Sequence, residues 1–195
     1  ILDIGAGSGL LTLMLAQKNE AVFHAIEIDP SAFEQLKQNI SDSPWKDNIT
    51  VVGGDATASA FPQQYDFIIT NPPFYDGDLK SDNNAINLAR HDAGLTFERL
   101  INIIGRNLAP GGSFGILLPF HRAAVFEQIA VSAGFSLVEK ILVNQTPAHS
   151  FFRSILHFSK HGVLFPQIYE LTIRNGEGSY TEAFEALMKA YYLAL

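Results

Sequence analysis

Ile1-Leu2-Asp3-Ile4-Gly5-Ala6-Gly7-Ser8-Gly9-Leu10-Leu11 passes from apolar, β-branched side chains through a glycine-rich turn into a helical pattern. Glycines at alternate positions let the backbone approach a ligand closely, and the N-terminus of the following helix points at the same place. A dinucleotide loop has the spacing G-x-G-x-x-G. Here Leu10 occupies the sixth position, so the pattern is the tighter G-x-G-x-G. A plain glycine turn satisfies the same residues, so the flanking sequence has to decide between them.

Downstream, strand patterns alternate with amphipathic stretches, as in βαβ units around a parallel sheet. Residues 1–4, 22–28, 49–52, 65–70 and 113–118 read as strands, with 65–70 expected to be covered on both faces. Residues 10–18 read as a helix with Leu11, Met14 and Leu15 facing the core. Asp29-Pro30 supplies a cap and a first-turn proline for the next helix. Residues 95–108 form another helix, stopped by Ala109-Pro110-Gly111-Gly112, and 122–133 a third crossover helix. Residues 135–143 and 151–158 have no helical signal between them. They are expected to pair antiparallel at one end of the sheet, which makes seven strands in one domain spanning 1–195.

Residues 163–195 read as an appendage. They hold a possible short strand at 168–173, a turn at Asn175-Gly176-Glu177-Gly178, and a capping box Ser179-Tyr180-Thr181-Glu182 opening a helix to Leu195. Tyr180, Phe184, Leu187, Tyr191 and Tyr192 are its expected packed face. The chain starts inside a strand without an initiator methionine, so an upstream segment is expected to be missing.

Two acids follow the glycine loop at the carboxyl edge of the sheet, where open α/β folds bind ligands. Glu27 closes the second strand about twenty residues on, placed to accept hydrogen bonds from both ribose hydroxyls of an adenosine ligand. As an alternative it is a solvated strand end. Asp55, in Gly53-Gly54-Asp55-Ala56, can read an adenine amino group or simply shape a turn.

Asp66-Phe67-Ile68-Ile69-Thr70-Asn71-Pro72-Pro73-Phe74 is the most informative stretch for chemistry. Consecutive prolines stiffen the backbone and remove two amide donors, which leaves carbonyl oxygens free to accept. A planar amino group on a conjugated ring or amide is a poor nucleophile because its lone pair is delocalised. The Asn71 side-chain oxygen and the Pro72 carbonyl can bind its two hydrogens and favour the pyramidal nitrogen that attacks a methyl group. Phe74 can stack on the acceptor's π-face.

Composition narrows the function classes. The 195 residues carry 47% apolar and 17% charged side chains at mean hydropathy +0.12, enough to bury a core. No apolar run approaches the ~18–20 residues of a membrane span, and no signal-peptide pattern opens the chain, so a soluble, cytoplasmic protein is expected. The absence of cysteine excludes disulfides and thiolate metal sites, and the histidine spacing suggests no metal. A net charge of −7 opposes a nucleic-acid partner. Against that, Lys80, Arg90, Arg99, Arg106, Arg122, Lys140, Arg153 and Lys160 outnumber the acids Asp82, Asp92, Glu98, Glu127 and Glu139 of the same stretch.

Residues 2–9, Glu27, Asp55 and Asn71-Pro72-Pro73-Phe74 together resemble the class I methyltransferase family with its amino-methylating motif. The resemblance covers residues 1 to about 160. It implies a Rossmann-like, mostly parallel α/β sheet with its last strand antiparallel and helices on both sides. It further implies S-adenosyl-methionine lined by Asp3, Gly5, Gly7, Gly9, Glu27, Asp55 and Asn71, and an acceptor site at Asn71, Pro72, Pro73 and Phe74. The sulfonium methyl of that cofactor is already activated, so the site mainly positions donor and acceptor.

A narrower likeness, through Asn71–Tyr75, Ala89-Arg90-His91, Leu95-Thr96 and the aromatic tail, is to bacterial enzymes that methylate the 6-amino group of adenine 37 in valine tRNA. A tRNA substrate is therefore expected. Protein glutamine amides and ribosomal RNA are the alternative acceptors. Residues 76–84 are read as a lid or a plain solvated loop, and Arg90 and His91 as phosphate or base contacts or plain surface. Phe151-Phe152-Arg153 is an aromatic and cationic contact beside the site or ordinary sheet packing.

Overall fold

A computed structural model describes residues 1–72 and 95–192. Its strands are β1 (Leu2–Ile4), β2 (Phe23–Glu27), β3 (Ile49–Gly53), β4 (Tyr65–Thr70), β5 (Leu108–Pro119), β6 (Ser136–Asn144), β7 (Phe151–Ser159) and β8 (Gln167–Thr172). Its helices are α1 (Leu10–Ala16), α2 (Pro30–Ser41), α3 (Phe97–Asn107), α4 (Phe120–Ser132) and α5 (Glu182–Met188), with a 3₁₀ turn at Lys46–Asn48.

The strands form one sheet in the order β3-β2-β1-β4-β5-β7-β6-β8. Neighbours from β3 to β5 run parallel, β7 runs antiparallel to both β5 and β6, and β8 runs parallel to β6. This is the expected Rossmann-like architecture with one strand more than seven. The additional strand is β8, which pairs with Glu139–Asn144 of β6 while its own side chains are largely exposed. A half-exposed edge strand carries little of the apolar signal by which buried strands are recognised.

The chain moves outward from β1 to β2 and β3 on one side and from β4 to β5 on the other. The reversal of strand order, and hence the crevice, therefore lies between β1 and β4. Thr70 Oγ1 donates to the Ile4 carbonyl at 2.7 Å and fastens the two strand ends that flank it.

Two apolar clusters hold the layers. The smaller joins Ala16 of α1 and Leu36 and Ile40 of α2 to Phe23 and Ala25 of β2. The larger joins β1, β4 and β5 to α3 and α4. At its centre Phe114 stacks on Phe158 of β7, with ring centroids 5.0 Å apart, and meets Phe135 edge-on at 5.1 Å and Phe126 of α4 at 6.3 Å. These rings tie β5, β7 and α4 together, and those elements carry one wall of the site.

Several boundaries differ from the sequence reading. Strand β5 begins at Leu108 and not at 113, because Ala109-Pro110-Gly111-Gly112 is an irregularity within the β4–β5 ladder, between the Tyr65–Leu108 and Phe67–Ser113 pairs. A Cβ on Gly112 would lie 2.9 Å from Leu108 Cδ1 and 3.0 Å from the Asp66 carbonyl, so only glycine fits there. Helix α1 buries Thr12 and Ala16, and Leu15 packs partly buried against the smaller cluster as expected, whereas Leu11 and Met14 are only partly covered.

The last helix is capped by Thr181, whose Oγ1 accepts from the Phe184 amide at 3.2 Å, and not by Ser179; it stops at Met188, short of residue 195. Tyr180 and Phe184 do stack, at 5.0 Å, and the Arg174 guanidinium lies 4.2 Å over Tyr180. Leu187 and Tyr192 are exposed instead of packed. Among the described residues no helix is long and apolar enough to cross a membrane.

Removal of the central ring tests this packing. Phe114→Ala is expected to lower the unfolding free energy by about 3–5 kcal/mol, read as a fall in the chemical-denaturation midpoint at unchanged slope.

Candidate functional site

Gly5, Gly7 and Gly9 adopt φ of 72°, 57° and 89°, a left-handed backbone that residues with a Cβ reach only at a cost. The amides of Gly5 and Ala6 donate to the Ile26 carbonyl, each at 3.0 Å, which presses the loop against the end of β2. A Cβ on Gly9 would lie 2.6 Å from Leu36 Cδ1 of α2. All three glycines thus have a conformational or packing reason.

Glu27 is buried at the end of β2 and does more than face a ligand. Its Oε2 accepts from the Gly7 amide at 2.7 Å and its Oε1 from the Asp29 amide at 2.8 Å. A carboxylate offers about four acceptor positions, so two remain beyond those that Gly7 and Asp29 fill. Asp29 caps α2 through the Ala32 amide, as the Asp-Pro pattern indicated.

Asp3 points to the α1 side, where its Oδ2 accepts from Thr12 Oγ1 at 2.6 Å. Its Oδ1 is buried and has no partner among the described residues. Burial pushes the carboxyl up from 3.8 to about 6; the Thr12 hydrogen bonds oppose that and the Glu27 charge adds to it. A buried acceptor left unmatched is costly unless a donor supplies it. The ammonium group of an amino-acid ligand is such a donor, so the arrangement fits the methionine end of S-adenosyl-methionine.

Asp55 is exposed after β3 and accepts from the Thr57 amide at 2.8 Å, so it shapes a turn while presenting a carboxylate at the sheet edge. The turn is held from outside by Arg106 of α3, whose Nη2 donates to the carbonyls of Ala56 at 3.1 Å and Thr57 at 2.9 Å. Sequence reasoning missed Arg106, since its partners are backbone atoms some fifty positions away. It also missed Thr12, although a hydroxyl among apolar helix residues is a readable signal.

Asn71 and Pro72 leave β4 at the same edge and line a cleft of about 510 Å³. Its other lining residues are 117–121, where β5 passes into α4, and Phe151, Phe152 and Arg153, which open β7. Phe120 carries no sequence signal of its own, whereas Phe151-Phe152-Arg153 was visible as a motif. Pro73, Phe74, the stretch 76–84, Arg90 and His91 lie outside the described residues.

The methyltransferase small domain model matches residues 1–121. The tRNA1(Val) (adenine(37)-N6)-methyltransferase of Dyadobacter fermentans is 40% identical over 99% of this chain and 82% of its own length. The enzyme of the same name from Pseudoalteromonas translucida is 37% identical over 100% and 84%. Among solved structures, a predicted O-methyltransferase from Agrobacterium tumefaciens shares the fold at a TM-score of 0.72 and 19% identity, covering 96% of this chain and 87% of that one. A glycopeptide N-methyltransferase complexed with S-adenosyl-L-methionine shares it at 0.56 and 15%, covering 80% and 79%.

The raised carboxyl of Asp3 has a defined pH signature. The folded chain binds this proton more tightly than the unfolded one, so ionisation costs stability. That cost is absent below about pH 4, grows between the ordinary 3.8 and about 6, and is complete above that. Asp3→Asn keeps an acceptor for Thr12 without the charge. It is expected to be more stable than the parent at pH 8 by roughly 1–3 kcal/mol, with the two converging near pH 4, in cofactor-free thermal melts.

Proposed function

The chain belongs to the methyltransferase small domain family, and from that membership we infer that it transfers a methyl group from S-adenosyl-methionine to the exocyclic 6-amino group of adenine 37 in valine tRNA. The observation that carries this reading is that the likeness to relatives named for the reaction runs the length of the chain, from the glycine loop through Asn71 to the tail beyond β7. The chain acts in the cytoplasm as one methyltransferase domain, with residues 163–195 as an appendage.

Asp3, the loop glycines, Glu27 and Asp55 hold the cofactor along the ends of β1, β2 and β3. Glu27 accepts from the ribose hydroxyls with the acceptor positions left over from Gly7 and Asp29, Asp3 takes the ammonium group, and Asp55 reads the adenine amino group. The cofactor, when bound, supplies a sulfonium-activated methyl group. Asn71 and Pro72, across the crevice at the end of β4, accept the two hydrogens of the target amino group and orient its nitrogen. Pro73 and Phe74 complete the acceptor motif, the ring stacking on the target base. Catalysis by position and hydrogen bonding needs no side-chain nucleophile.

Division of labour between the two halves is the measurable consequence. Asn71→Ala is expected to lower turnover by about 100-fold with cofactor affinity nearly unchanged, while Glu27→Ala raises the cofactor Kd by about tenfold. Titration calorimetry and single-turnover assays read the two separately, and equal loss of affinity in both variants contradicts the assignment. With radiolabelled cofactor and unmodified tRNA, label is expected in 6-methyladenosine. Label absent from RNA but present on a protein glutamine transfers the same chemistry to the alternative acceptor.

A further inference from the structure

Besides Asn71 and Pro72, the cleft is lined by three phenylalanines, Phe120, Phe151 and Phe152. Phe120, where β5 passes into α4, is 41% exposed, and Phe151 beside it is half-buried at the start of β7. The rings of Phe120 and Phe151 meet at 5.6 Å with a 45° tilt, so their planes are not stacked on one another. Arg153 lies 5.4 Å over Phe152, with Nη1 donating to the Phe152 carbonyl at 3.1 Å, and these contacts occupy one nitrogen and leave donors to spare.

Strand order sets the distance between the two walls. Asn71 follows β4, whereas Phe151–Arg153 open β7, with β5 between them; the Pro119–Arg153 pair marks the register at this edge. Strands lie about 4.8 Å apart, which puts β7 about 10 Å from β4. A base whose amino group is held at Asn71 and Pro72 does not extend that far, so its neighbour in the strand arrives at the rings.

We propose that Phe120 and Phe151 form a stacking site for the nucleotide adjacent to the target adenine, with Arg153 on its phosphate. The site rests on the RNA reading given above. Aromatic faces accept any base, and a guanidinium on the backbone positions the strand without reading its sequence. In a chain of net charge −7, such a local contact compensates for weak overall attraction to phosphate.

Coupling between ring and base tests it. Phe120→Ala and Phe151→Leu, in the full chain, are each expected to raise the KM for unmodified tRNA on the order of tenfold. Cofactor Kd and melting temperature, measured alongside, separate this from misfolding. Wild-type enzyme given tRNA with an abasic residue immediately 5′ or 3′ of the target adenine should show the same loss on one side. On that side the Phe120→Ala variant should show little further loss. Arg153→Gln should flatten the salt dependence of binding by about 0.7 in log–log slope.

Independent, multiplicative losses on both sides, or an unchanged KM in both ring variants, overturn the stacking site while leaving RNA methylation in place. Cofactor binding without methylation of any RNA by the wild type overturns the RNA reading, and this site with it.

Discussion

A single carboxylate joins the first two strands at the edge where the chemistry is placed. Glu27 accepts from the amide of Gly7 on one oxygen and from Asp29 on the other. It thereby holds the glycine loop in its left-handed path and fixes where α2 starts. Removing either oxygen would leave a part-buried amide without this partner, Gly7 in the loop or Asp29 ahead of α2. The loop, the crevice beside it and the entry into α2 all depend on this contact. The residue proposed to take the ribose is therefore preorganised by its structural duty, so binding does not have to order it.

The other side of the crevice is built differently. Thr70 fastens the end of β4 to the end of β1, so Asn71 leaves the sheet from a fixed point. The opposing wall depends on the aromatic cluster around Phe114, which clamps β5, β7 and α4. Rigid elements thus present both walls, and that suits a reaction in which placement of donor and acceptor supplies most of the rate.

How legible all this was varied with the physics of each element. The bounds of β4 agree with the reading, because an apolar-rich run ends there at Asn71-Pro72. The helix start at Asp29-Pro30 was equally plain, since a cap and a proline are local signals. The buried face of α1 was read only in part: Leu15 packs on the core, but Thr12, buried where its hydroxyl donates to Asp3, is polar and carries no apolar signal. The start of β5 was hidden by Pro110-Gly111-Gly112, which looks like a break and is an irregularity inside a ladder. Strand β8 was faint because it is buried on neither face. Of the site, Glu27 and Asn71 could be picked out by their places after strands. Arg106 and Phe120 could not, because their partners come from distant segments.

The antiparallel placement of β7 bears on how the protein is made. The first three strands, the glycine loop, Glu27, Asp55 and Asn71 all lie within the first 72 residues, yet the facing wall waits for residues 151–153. A chain leaving the ribosome from its N-terminal side therefore presents the proposed cofactor edge first, and the second wall arrives only when β7 inserts between β5 and β6. Until that insertion the proposed donor edge stands without its facing wall, so synthesis orders the two halves of the cleft in time.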